Sequence, residues 1–198
     1  MYERSIIMNY IVADYGSLPF SNYFIFAKVL QNNEHLCRRL LEIILDLPIA
    51  EITYIDREKD MKNAVDSRGI RLDVWVRTAD GAVYDCEMQS YSEKNIPLRS
   101  RYYHSMIDLD MIEKGLTVSE LKKSFVIFVC KDDYLEGGLG KYTFRKFCEQ
   151  KKELLFNDNE CTIVVNPNGD NSGMSDELKR FLEYISSGIP TDEFTRQL

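Results

Sequence analysis

The chain has 198 residues, 44% of them hydrophobic and 12% aromatic, which is enough apolar side chain for a full core and fits one domain better than two. Its 25 basic and 32 acidic residues leave a formal charge of −7, the wrong sign for a protein held on nucleic acid by general attraction to phosphates, although net charge does not describe a local groove. Five widely spaced cysteines without a CxxC pair, and two histidines, argue against a disulfide framework or a structural zinc site and point to a reducing cytoplasm; no apolar run suits an export signal or a membrane span.

In chain order, 21–32 and 34–47 read as helices. Leu36, Leu40, Ile43 and Leu47 form a core-facing stripe on the second, which Pro48 stops. A short strand follows at Ile52 to Ile55, then a charged segment from Arg57 to Gly69 that reads as a loop. Arg71 to Arg77 and Ala82 to Gln89 alternate in polarity about Ala79-Asp80-Gly81 and read as a hairpin. A two-residue Asp-Gly loop would pair Asp73 with Met88. A three-residue loop with Gly81 left-handed pairs Asp73 with Glu87, and it alone puts Leu72, Val74 and Val76 on one apolar face with Tyr84, Cys86 and Met88. The other face then carries Asp73, Trp75, Arg77, Asp85, Glu87 and Gln89.

Pro97 to Gly115 reads as a helix burying Leu98, Tyr102, Leu109, Ile112 and Leu116. Ser124 to Cys130 is a nearly uninterrupted apolar run suited to a doubly covered strand. After the loop at Gly137, Gly138 and Gly140 comes a basic stretch to Lys152, whose ordinary reading is a solvated amphipathic helix. Cys161 to Val165 is a further strand, Asp176 to Ser186 a helix, and the residues after about Gly188 are expected to fray. The order is helix, strand, hairpin, helix, strand, strand, helix, an α/β domain with a mixed sheet buried by helices.

Two carboxylates opposed across an antiparallel pair lie about 5 Å apart at Cβ, near enough to ligate one ion. Hard oxygen ligands suit Mg²⁺ or Mn²⁺ and leave positions for water and a phosphate oxygen. Acidic residues on a hairpin face are more often a solvated surface, but like charges placed directly opposite one another repel and invite a cation. Gln89 points to the same side as Glu87, and its amide can position water or phosphate but cannot carry a charge.

Arg71-Leu72-Asp73-Val74 and Glu87-Met88-Gln89-Ser90 resemble the core motif of the PD-(D/E)XK nuclease superfamily, and more narrowly the PD-(D/E)XK family transposases and related recombination-promoting nucleases. The similarity runs from about Tyr23 to Phe194, through Leu40-Leu41-Glu42, Asp66-Ser67-Arg68-Gly69, the stretch from Ile96 to Tyr103, Lys122 to Phe128, Tyr142-Thr143-Phe144 and Leu178 to Leu182. It implies a restriction-endonuclease-like mixed β-sheet flanked by helices, and cleavage of DNA phosphodiesters by a Mg-activated water. Asp73, Glu87 and Gln89 would be the catalytic residues, with Asp73, Glu87 and the Met88 carbonyl as metal ligands. Leu72 stands where the motif has proline and Gln89 where it has lysine, although glutamine is usual in the narrower family. Members of that family often continue past the point where this chain ends, so a truncated form is one reading of it.

Under that pattern Glu42 is a candidate additional acid, yet it lies nearly opposite the apolar stripe of its helix, with Arg38 four residues earlier as an ion-pair partner. Glu58 is a weaker candidate. DNA contacts would come from Arg99, Arg101 and His104 at the start of the helix after the hairpin, and from Lys141, Arg145 and Lys146, which with Lys151, Lys152, Tyr142, Phe144 and Phe147 form a basic stretch interleaved with aromatics. The readings that differ in class are a metal-dependent DNA hydrolase, a catalytically silent nuclease-fold module that binds DNA or a protein partner, and an interaction module that forms a homodimer through the exposed ends of the sheet.

Overall fold

A computed structural model describes residues 18–61, 70–91, 95–112 and 117–198. Asn22 caps α1 (Tyr23–Asn32), its side chain accepting from the Phe24 and Ile25 N–H groups. α2 (Glu34–Leu45) ends at Asp46, which takes a left-handed conformation at φ 57°. Leu36, Leu40 and Ile43 are buried as the stripe predicts, but Leu47 lies beyond the helix end and is exposed.

The six-stranded sheet has the order β1-β2-β3-β4-β8-β5. β1 (Ile52–Met61), β2 (Ile70–Thr78) and β3 (Val83–Gln89) form an antiparallel meander. β3, β4 (Ser124–Cys130) and β8 (Glu160–Val165) run parallel, and β5 (Lys141–Phe144) closes the far edge antiparallel to β8. β4 is buried along its whole length between two parallel neighbours, as its apolar sequence requires.

α1, α2 and α4 (Asp176–Ser187) cover one side of the sheet, packing Phe26, Leu30, Leu40, Ile44, Phe181 and Leu182 against Val74, Val76, Cys86, Ile127 and Ile163. α3 (Ile96–Met111) covers the other, packing Ile96, Tyr103, Met106 and Ile107 on Trp75, Val83, Val126, Phe128 and Val164. The mixed α/β architecture is the one expected.

Four segments differ from the sequence reading. Arg57 to Met61 extends β1 where a loop is expected, while 62–69, with the Asp66 to Gly69 motif, lies outside the described residues. β1 is an edge strand, so its charged residues need no apolar alternation. The region from Lys141 to Lys152 is not a helix: after β5 it forms a separate hairpin, β6 (Phe147–Cys148) with β7 (Lys151–Leu155). Rather than fraying, the C-terminal residues include α5 (Glu193–Gln197), whose N-cap Asp192 exchanges bonds with Thr195 in a capping box and accepts from Arg180.

The fourth is α3. Leu98, Tyr102 and Leu109, expected in the core, are exposed, and the face on the sheet carries Ile96, Ser100, Tyr103, His104 and Ile107. Two of these are polar and find polar partners below, since His104 Nδ1 is 2.8 Å from Ser124 Oγ, and Nε2 is 3.1 Å from Thr162 Oγ1. Ser100 also bonds Thr162. Apolar periodicity therefore selects the wrong stripe on this helix. The described helix ends at Met111, and Gly115 and Leu116 lie outside the described residues.

Candidate metal centre

The hairpin register is the one required by the three-residue loop: Arg77 pairs with Val83, Trp75 with Asp85 and Val74 with Cys86. Gly81 sits at φ 85°, and its N–H donates to the Thr78 carbonyl. Continuing the register sets Asp73 opposite Glu87, but beyond Val74–Cys86 the backbone pairing gives way to the two acids. The Asp73 N–H donates to Glu87 Oε1 at 2.9 Å, and the Met88 N–H donates to Asp73 Oδ2 at 2.9 Å. Each carboxylate is thus fixed by the opposite strand's backbone. Leu72 groups with Trp75 and α3 instead of with Val74, so the expected apolar face does not extend to it.

Asp85, Glu87 and Gln89 project from β3 beneath α3 and are 0%, 1% and 7% exposed, while Asp73 is half-buried. Burial, then the charge of Asp73, push the Glu87 carboxyl up to about 8, against the Asp73 N–H and Arg99, which pull it down. Asp85 is pushed well above the ordinary carboxyl range by burial, then by the charges of Glu87 and Asp73. Its oxygens make no hydrogen bond of normal geometry among the described residues. Sequence reasoning puts Asp85 on this face without assigning it to the site; its place two residues before Glu87 is the signal that could have done so.

Arg99 enters from the first turn of α3. It donates from Nη2 to Glu87 Oε2 at 2.7 Å and from Nη1 to Gln89 Oε1 at 2.6 Å, while the Tyr103 hydroxyl accepts from Nε and Nη2. The site lies at the C-terminal end of a parallel strand and beside the start of the next helix, where open α/β sheets commonly bind ligands.

Glu42, His104 and the basic stretch do not gather here. Glu42 accepts from the Ile49 N–H at 3.3 Å and pairs with Arg39, whereas Arg38 pairs with Glu34. It closes the loop after α2, and α2 belongs to the opposite layer. Glu58 falls in β1, level with Asp73 by the β1–β2 register. His104, expected to touch phosphate, is 3% exposed, held by Ser124 and Thr162, and kept neutral by burial, which lowers its pKa. Arg101 is exposed on α3.

Lys141 lies opposite Val165, on the α1/α2/α4 side of the sheet, where burial lowers its pKa. Because β5 runs antiparallel to β8, Arg145 and Lys146 sit at the other end, near Glu160 and Ser124. Lys146 is already paired with Asp158 and Glu160. The basic stretch is contiguous in sequence but divided between two ends and two faces of the sheet.

Among the described residues no group of three or more His, Cys, Asp and Glu side chains could hold a metal ion. Asp73 and Glu87 are the acids that the crossed backbone hydrogen bonds hold at one place. Two carboxylates fit Mg²⁺, which usually keeps several waters and takes substrate phosphates as its remaining ligands. They fit electrostatically too, since burial and then the charge of Asp73 raise the Glu87 carboxyl, and a cation between the two acids would offset that repulsion.

Among the described residues no helix is long and apolar enough to cross a membrane. Comparisons with curated proteins and with solved structures gave no match. The model of the PD-(D/E)XK nuclease family transposases matches residues 21–179, a span that includes both acids, Gln89 and Arg99. With most of its length matched, the chain belongs to the PD-(D/E)XK nuclease family transposases.

Proposed function

We propose that the chain is a Mg²⁺- or Mn²⁺-dependent endonuclease that cleaves DNA phosphodiesters at Asp73 and Glu87, with Gln89 beside them. The observation that carries this reading is the exchange of backbone hydrogen bonds by which β2 and β3 fix the two carboxylates toward each other. Asp73 and Glu87, joined by the Met88 carbonyl, would hold the ion, which when bound polarises a phosphoryl oxygen and lowers the pKa of water. Gln89 orients a reacting oxygen by hydrogen bonding, and α3 keeps bulk water from the buried acids. Arg99 and Arg101 are the DNA contacts closest in sequence to the site, whereas Arg145 would meet a duplex only at the far end of the sheet.

Gln89 in place of lysine keeps a second reading in play, a silent module of this fold that binds DNA. Relaxation of supercoiled plasmid separates the two. Wild type should nick or linearise plasmid in Mg²⁺ or Mn²⁺ and leave it intact in EDTA, and the near-isosteric Asp73→Asn and Glu87→Gln should be inactive. Plasmid that stays intact under every condition, or is cut equally by the variants, rejects the nuclease reading.

A further inference from the structure

Cleaving a phosphodiester builds negative charge on the phosphoryl oxygens, and a fixed cation stabilises that charge better than a neutral amide. Gln89 is the amide at the end of β3, and its Oε1 is engaged by Arg99 Nη1 at 2.6 Å. The same guanidinium reaches Glu87 Oε2 at 2.7 Å. It lies 5.2 Å from the Tyr103 ring centroid and 5.5 Å from that of Phe128, and Tyr103 accepts two of its hydrogen bonds. These contacts fix a long side chain whose rotamer entropy would otherwise oppose any contact with substrate. Still, 23% of it remains open to solvent, so a ligand at the acids can meet it.

An arginine needed only to offset Glu87 would not require the glutamine. Here Gln89, almost wholly buried, fixes the direction in which the guanidinium faces. We propose that Arg99 and Gln89 act as one unit: Arg99, delivered from α3, is the cation that contacts the non-bridging oxygens of a phosphodiester at this site, and Gln89 is the residue that positions it. The unit supplies from two elements the charge that a single lysine at position 89 would carry. This inference rests on the reading of Asp73 and Glu87 as a nuclease site.

The test uses the full chain and one fluorescent DNA duplex, read by anisotropy in Ca²⁺ and by single-turnover cleavage in Mn²⁺, for wild type, Arg99→Met, Arg99→Lys and Gln89→Lys/Arg99→Met. Methionine keeps the apolar stem on Tyr103 and Phe128 and removes the charge. Arg99→Met should weaken binding about tenfold and slow cleavage by about a hundredfold, the loss typical of removing one charge-stabilising donor. Arg99→Lys should fall between it and wild type. The double variant, with the charge moved to β3, should recover about tenfold of either loss, a rescue that a purely structural ion pair does not predict.

Affinity and rate unchanged in Arg99→Met, or a double variant no better than Arg99→Met, overturns the proposal. If wild type binds with this pattern of loss and rescue but does not cut, Arg99 stands as the phosphate contact and the nuclease reading falls. If wild type cuts and Arg99→Met cuts equally well, the nuclease reading stands and the role given to Arg99 falls. Failure of wild type to bind the duplex overturns both.

Discussion

Replacing Glu87 by glutamine should make the metal-free protein more stable at neutral pH. Burial and Asp73 raise the Glu87 carboxyl to about 8 in the folded chain, against an ordinary value of 4.5. A raised carboxyl pKa means that the folded state holds the proton more tightly than the unfolded one. Its contribution is therefore fully present below the unfolded value and is lost as pH rises through the folded one. Between pH 5 and pH 7.5 the loss is on the order of 3 kcal/mol, since each unit of pH inside that window costs about 1.4 kcal/mol.

For a domain of this size that is a fall in melting temperature of about 6 to 12 °C. The lowered pKa of His104 acts in the opposite direction, so the informative quantity is the difference between wild type and Glu87→Gln, in which His104 largely cancels. Melting both proteins in EDTA across that range should give curves that meet near pH 5 and separate toward pH 7.5, with the variant higher. Parallel curves would refute the claim that folding raises the Glu87 carboxyl above its ordinary range, and Mn²⁺ should bring wild type back toward the variant.

Two further outcomes test the supporting structure. His104→Phe should cost about 2 kcal/mol, because it leaves the Ser124 and Thr162 hydroxyls beneath α3 without their imidazole partner; denaturant unfolding checks this. Gly81→Ala should destabilise by about 1 kcal/mol or more, since φ 85° disfavours any side chain and the new Cβ would come within 2.9 Å of Lys122 Cγ, and a thermal melt would register it.

Legibility in the sequence follows the physics of each element. The hairpin register is readable because Gly81 and two-residue alternation both demand the same loop, and β4 because a seven-residue apolar run has few alternatives to burial on both faces. The acids follow from the register. α3 misleads because its buried face is built from matched polar side chains, Ser100 and His104 over Thr162 and Ser124, which hydrophobic periodicity treats as surface.

The β6–β7 hairpin is short and largely exposed, so it carries almost no alternation to read. Arg99 is legible as a phosphate candidate, but not its attachment to Gln89 and Glu87, which depends on how α3 crosses the sheet. The basic stretch misleads for a topological reason: extended chain along β8 carries Lys141 to one end of that strand and Lys146 to the other.

Every functional role assigned above depends on one divalent ion held between Asp73 and Glu87, and calorimetric titration of Mn²⁺ into the metal-free protein at pH 7.5 measures that directly. Wild type should bind a single ion, and Asp73→Asn and Glu87→Gln should each weaken binding by more than about tenfold. Equal Mn²⁺ affinity in all three proteins, or none in wild type, would contradict it.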